Sequence, residues 1–346
     1  MNKELVRPSK VVEEVGCIFA HPDLKGRRHS NGGVYTARKL FSYNVSQVLY
    51  MNNKWHVKKR KPVSDATKYK RFTECQAMCH DLHNLGYKII LPTQLKQKHV
   101  KALTHYWEAS GLKPATIVQK VSILRIFLTW IGKSDVMSLL PHESMYKEPE
   151  KIKRSLVAKE DKSWDKKTDV LELIAGVETE DKFVSRQLLL SHFFGMRVKE
   201  SMLFRPAMDY DETTSVVHVR RGTKGGRPRI MLVETQEQKA LLKELRSFCH
   251  DNQSSMIPVR ADLGRWIKHY YRVCNRHGIS RANGMTPHGL RHGYAHRLYE
   301  EKTGVLPAAV SGQKEDMDAI TDRIARLLVA EDLGHSRVSI SSAYLG

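Results

Sequence analysis

One pair of short alternating stretches limits what this chain can fold into. Residues 215–220 and 229–233 alternate β-branched and other side chains, and Gly222-Thr223-Lys224-Gly225-Gly226 between them supplies the glycines of a turn. That pattern predicts one antiparallel hairpin. On either side the apolar residues recur at helical spacing instead, over 169–174 and 183–194 before it, and over 236–249, 261–277, 287–300 and about 315–330 after it. The C-terminal part of the chain is therefore expected to be mainly α with a small antiparallel β-sheet, an α+β domain.

The preceding segment reads as helix alone. Ile117, Val121, Leu124, Leu128 and Ile131 form one amphipathic stripe, with Pro114 at the first turn and Gly132 beyond the last apolar residue. Residues 70–85 and 99–109 show similar spacing, and a further helix is expected over 36–51. The 346 residues suffice for two ordinary domains and a third small one. Two basic, proline-containing stretches, 54–71 and 141–167, read as linkers. The expected division is a basic N-terminal extension at 1–62, either an accessory module or part of the next unit. A helical domain at 63–145, a linker at 146–155 and the α+β domain at 156–346 follow.

Charge points to the partner. A formal net charge of +21 destabilises a compact fold by self-repulsion, so a polyanion is expected to offset it. Duplex nucleic acid is the first candidate. A membrane is the second, but no apolar run of spanning length and no lipidation signal occurs, so no membrane partner is expected. The start, MNKELVRPSK, lacks the apolar core of an export signal. The five cysteines, Cys17, Cys75, Cys79, Cys249 and Cys274, read as reduced thiols of a cytoplasmic protein. Cys75, Cys79 and His83 could mimic a metal stripe, yet Phe72, Cys75, Cys79 and Leu82 make an ordinary buried face, so no metal is expected.

The chemistry is concentrated near the end. Tyr344 stands nine residues after His335. Terminal segments fray unless docked, so a tyrosine there suits a mobile nucleophile better than a core residue. Upstream lie Arg197 with Glu200 one turn on, Lys224 in the glycine-rich turn, and Thr286-Pro287-His288-Gly289-Leu290-Arg291 opening a helix whose N-terminus favours an anion. Singly these are weak: Arg197 with Glu200 could be a plain surface ion pair, and Gly226-Arg227-Pro228-Arg229 could be read as a minor-groove hook. His292 and His296 are expected to face core or solvent. Jointly they suit attack on a phosphodiester. Two guanidiniums can clamp the equatorial oxygens, a phenol of pKa about 10 needs a neighbour to take its proton, and an ammonium or imidazolium can protonate the leaving oxygen.

In these motifs the chain resembles the tyrosine recombinases, the phage-integrase family of site-specific DNA recombinases. The matching stretches are GMRVKESMLFRP, RGTKGGRPRIMLV, TPHGLRHGYAHRL and LGHSRVSISSAYL, and the resemblance covers about 280 residues. It implies an all-helical SAM-like core-binding domain ahead of the catalytic domain. It also implies that Tyr344 attacks the scissile phosphate to leave a 3′-phosphotyrosyl link and a free 5′-hydroxyl. Arg197 and Arg291 would bind the phosphate, Lys224 would be the general acid and His288 would assist proton transfer. His335 would hydrogen-bond a non-bridging oxygen, and no cofactor, ATP or divalent metal would be needed.

The implied protein is the integrase of a mobile element, cytoplasmic and nucleoid-associated. It would act as a homo-tetramer on its DNA sites, with DNA-bending accessory proteins. The competing expectations are a type IB topoisomerase-like relaxing enzyme, a chromosome-dimer resolving recombinase, and a non-catalytic DNA-binding relative. Two departures stand out. Arg291 and His335 are 44 residues apart, longer than usual, with the excess placed at 302–330. The sequence also ends two residues after Tyr344, without the helix that many relatives dock on a neighbour. Weak self-association without DNA is expected from that.

Overall fold

The computed structural model describes residues 19, 25–26, 34–57, 61–152, 157–313 and 317–346. The chain divides into two compact units, 1–155 and 156–346. Cys17 and most of the N-terminal extension lie outside the described residues.

The first unit is helical: α1 Ala37–Asn52, α2 Asp65–Asn84, α3 Gln97–Ala109, α4 Pro114–Trp130, and the single turns α5 Asp135–Ser138 and α6 His142–Met145. Side-chain caps start α1 and α2, where Thr36 accepts from Lys39 N–H at 3.2 Å and Ser64 from Thr67 N–H at 3.3 Å. Pro114 opens α4, and Gly132 beyond its end takes φ 70°. The α4 stripe is buried throughout. It shares one core with Phe41, Val45 and Val48 of α1 and with Cys75, Met78, Cys79 and Leu82 of α2. The helix at 37–52 is thus part of this unit's core.

Two local expectations need correction. Phe72 is 44% exposed. At that end of α2 the inward position belongs to Arg71, which lies over Trp130 and donates to Asn53 Oδ1 and the Trp55 carbonyl. The stretch at 141–167 also contributes more than a tether, since Met145, Tyr146 and Ile152 complete the first core and Trp164 is fully buried in the second unit. Proline and charge marked it as a break in helical pattern, but its scattered apolar residues still pack. Cys75 and Cys79 are buried, with Cys75 pushed up to about 12 by loss of hydration, while His83 is exposed. Among the described residues no cluster of His, Cys, Asp or Glu is arranged to hold a metal ion.

The second unit runs α7 Val170–Glu178, α8 Lys182–Phe194, α9 Val198–Leu203, α10 Pro206–Asp209, β1 Tyr210–Asp211, β2 Val216–Val219, β3 Arg229–Leu232, α11 Gln236–Ser247, α12 Leu263–Arg276, α13 Pro287–Thr303, α14 Ala308–Ser311, α15 Ala319–Asp332 and α16 Ser342–Leu345. The hairpin forms as expected, antiparallel from Val216↔Leu232 to Val219↔Arg229. A third strand, β1, pairs with β2; at two residues it is too short to show a period. Val217, Val219 and Met231 turn inward against Phe194, Met196 and Leu242. Helix α13 packs along α8 and α15, so its residues reach both the first arginine block and the chain's end. The hairpin connection closes onto α9: a Cβ on Gly222 would stand 2.5 Å from the Lys199 carbonyl oxygen, which only glycine avoids. No helix among the described residues is long and apolar enough to cross a membrane.

Candidate active site

Helix α8 ends at Gly195, whose φ of 54° turns the chain sharply and whose missing Cβ leaves room for the Tyr294 ring. Arg197 is thereby set at the N-cap of α9. Its backbone N–H donates to Glu200 Oε2 at 2.8 Å and its Nη1 to Oε1 at 2.7 Å. The pair is not the solvated one the spacing allowed. The Glu200 side chain is fully buried, also accepts from Arg229 Nη2 at 2.9 Å, and lies 3.8 Å from Arg291 Nη1. Burial pushes the Glu200 carboxyl up, but the Arg229 hydrogen bond and the charges of Arg229, Arg197 and Arg291 together hold it below its usual range.

Arg291, on the second turn of α13, is completely buried. Its Nη1 donates to the Gly195 carbonyl and its Nη2 to the Leu333 carbonyl and to His335 Nε2, the last at 3.5 Å. Its Nε donates to the Tyr344 hydroxyl at 3.2 Å. Loss of hydration lowers this guanidinium to about 10, which leaves it charged at neutral pH. Arg197 Nη2 reaches the same Leu333 carbonyl at 3.4 Å. One turn of backbone, Leu333-Gly334-His335, therefore ties both arginines and His335 together.

Tyr344 is 5% exposed and Leu345 fully buried. The terminus is docked, not frayed: His296 Nε2 donates to the Tyr344 carbonyl at 2.9 Å, Ala158 N–H to the Ser342 carbonyl at 2.7 Å, and Arg326 to the Gly346 carbonyl at 3.0 Å. Imidazoles surround the phenol. The ring centroids of His292, His335 and His288 stand 4.6, 5.7 and 6.0 Å from that of Tyr344. Crowding strips water from all three, and neighbouring cations add to the effect. His292 falls to about 3 and His288 and His335 to about 4, so all are neutral at pH 7. His288 is nevertheless exposed at the surface, although the side of its ring that faces the site is shielded. Lys224 is exposed at the hairpin connection, and its charge is among those acting on His335.

The structure brings the six residues singled out in the sequence into one neighbourhood: Arg291, His288 and His335 lie around the Tyr344 ring, Arg197 shares the Leu333 carbonyl with Arg291, and Lys224 stands near enough for its charge to act on His335. Sequence reading missed Arg229; His292 is buried, as one of the two expected settings, and lies against the Tyr344 ring. Arg229 was visible only inside a string resembling a minor-groove hook, yet it is buried on β3 against Glu200 and not displayed to a groove. His292 offered a spacing signal, one turn beyond His288. A cleft of about 570 Å³ opens beside Arg197 and His288, with Lys199, Tyr271, Asn275 and Arg281 on its walls. Guanidiniums and neutral imidazoles around one phenol, with an ammonium nearby, can receive an anion beside the phenolic oxygen.

Comparison with known proteins places these units. Residues 53–137 match the family model "Phage integrase, N-terminal" and residues 156–297 the model "Integrase", together about two thirds of the chain. Among solved structures, the fold is similar to that of the Tn1549 transposon integrase in complex with circular intermediate DNA, at 14% identity and TM-score 0.52, covering 90% of this chain and 95% of that one. It is similar to a lambda integrase dimer bound to a COC′ core site, at 14% identity and TM-score 0.56, covering 87% of this chain and 76% of the other. The XerH site-specific recombinase bound to palindromic difH substrate aligns at 16% identity and TM-score 0.54, over 89% and 92% of the two chains. A search of curated protein sequences finds no match.

Proposed function

Since the chain belongs to the tyrosine recombinase family, we propose that it cuts and rejoins duplex DNA at specific sites through a covalent link to Tyr344. The observation that carries this reading is the hydrogen bond from Arg291 Nε to the Tyr344 hydroxyl, deep in a cationic pocket. A scissile phosphate drawn to Arg291 and Arg197 meets the phenolic oxygen at once. Oη attacks phosphorus, the bond to the 5′ oxygen breaks, and a 3′-phosphotyrosyl ester remains. Neutral His288 takes the phenolic proton, which its low pKa leaves it free to do at pH 7. Lys224, at the exposed edge of the hairpin, protonates the departing 5′ oxygen. His335 donates to a non-bridging oxygen while both arginines balance the charge that builds in the transition state. Attack by a 5′-hydroxyl on the phosphotyrosine reverses the steps and conserves the bond energy.

The partners of this reaction are two duplex sites and further copies of the chain, four on paired DNA; one structure of similar fold is a lambda integrase tetramer bound to a Holliday junction. Similarity to the Tn1549 and lambda integrases supports a mobile-element role, with action at the nucleoid. A pool of nicked duplexes randomised around the nick tests the proposal and selects the site in the same step. Wild type should yield denaturant-resistant protein–DNA adducts of convergent sequence, absent with Tyr344→Phe. Adducts that persist in that variant would refute the assignment of the nucleophile, and relaxation of plasmid lacking any captured sequence would favour a topoisomerase-like enzyme.

A further inference from the structure

Glu200 sits where a negative charge should be harmful. A carboxylate 3.8 Å from Arg291 and 2.7 Å from Arg197 competes with the phosphate those arginines are to receive. Its use is geometric, since it holds both the backbone and the guanidinium of Arg197. Something must cancel its charge without occupying the pocket.

Arg229 is built for that. It is 7% exposed and reaches Glu200 Oε2 at 2.9 Å from β3. Its Nε and Nη1 are buried with no hydrogen-bond partner among the described residues, so the hydrogen bond to Glu200 is what holds the guanidinium in place. A neighbouring carboxylate, Asp332, accepts from the Tyr294 hydroxyl and feels the charge of Arg229 without a hydrogen bond to it. Gly334 packs directly on it: its φ of 67° is one that glycine adopts without strain, and a Cβ there would stand 3.1 Å from Arg229 Cδ, so the Arg229 side chain lies against the turn that carries His335. Sheet and turn together hold this cation buried against Glu200, on the side of the carboxylate away from solvent.

We propose that Arg229 is a positioning residue that neutralises Glu200, so that Glu200 can orient Arg197 while the pocket keeps the full positive charge of Arg197 and Arg291 for the scissile phosphate. This rests on the recombinase reading above. The consequence is a charge rule: Glu200 and Arg229 matter as a pair, and losing both is less harmful than losing Arg229 alone.

The test uses the full-length protein and the nicked duplex recovered from the randomised pool, with the rate of adduct formation and non-covalent DNA affinity measured separately. Arg229→Met leaves an uncompensated carboxylate, so adduct formation should fall about 10- to 100-fold, on the scale of one unit charge at short range in a partly buried site. Arg229→Lys, which keeps the charge, should recover most of that loss. In Glu200→Gln with Arg229→Met the rate should return to within about tenfold of wild type, with overall DNA affinity little changed in all variants. A double variant no faster than Arg229→Met, or an Arg229→Lys variant as slow as Arg229→Met, overturns the proposal. If Arg229→Met does not fold, the double variant still decides: folded and active supports the charge rule, folded and inactive or unfolded refutes it. Wild type forming no adduct with any duplex would instead remove the recombinase reading itself.

Discussion

Replacing His292 by leucine should flatten the acid limb of the protein's stability curve. The wild-type imidazole is 6% exposed and held at about 3 by loss of hydration, with His288 and His296 adding to the effect. In the unfolded chain the same group titrates near 6.5. Between those values the unfolded state binds a proton the folded state refuses, so stability is full above pH 6.5 and is lost as pH falls towards 3. At about 1.4 kcal/mol per pH unit, the drop from pH 7.5 to 5.0 assigns about 2 kcal/mol of destabilisation to His292 alone. The leucine variant should lose about that much less over the same interval. At pH 7.5 it should be within about 1 kcal/mol of wild type, because it also removes a buried Nδ1 that has no hydrogen-bond partner. Urea unfolding at the two pH values, followed by the fluorescence of Trp164 and Trp266 in the same core, reads the difference directly. Equal pH dependence in the two proteins would refute the argument, since His292 would then be hydrated or already charged in the native state.

Three other outcomes follow from the geometry. Gly289→Ala places a methyl 2.5 Å from the Lys162 carbonyl oxygen and 2.7 Å from Trp164 Nε1, so about 1–3 kcal/mol of stability should be lost in urea titrations even though alanine favours helix; a neutral or stabilising change would contradict the packing at the start of α13. Lys224→Ala should slow cleavage of the nicked duplex about 100-fold or more while DNA affinity changes little, and a bridging sulfur at the 5′ position, which needs no acid to leave, should restore the rate; equal slowing with both leaving atoms would rule out a general-acid role. Cleavage should proceed undiminished in EDTA, and inhibition that added magnesium reverses would show that the arginines do not carry the phosphate charge alone.

Much of this protein is legible in the chain itself. The α4 stripe, the starts of α1 at Thr36 and of α4 at Pro114, and the hairpin between residues 215 and 233 are local patterns, and each element forms within a few residues of its expected bounds. Charge pointed to DNA as the partner, and the order of Arg197, Lys224, His288, Arg291, His335 and Tyr344 pointed to residues that the fold brings together. Spacing along one helix reports which face is buried, and that information survives in a linear string. Contacts across long separations do not. The Gly195 carbonyl meets Arg291 from 96 residues away and Tyr344 meets it from 53, so only the packing of α13 between α8 and the chain's end could show that the phenol is docked. The same holds for Glu200: as sequence it is a surface partner three residues from Arg197, and as structure it is a buried carboxylate shared among three guanidiniums. Burial turns a pair worth tenths of a kcal/mol into the charge balance of the site, because the low dielectric that strengthens each contact exists only once distant segments have closed around it.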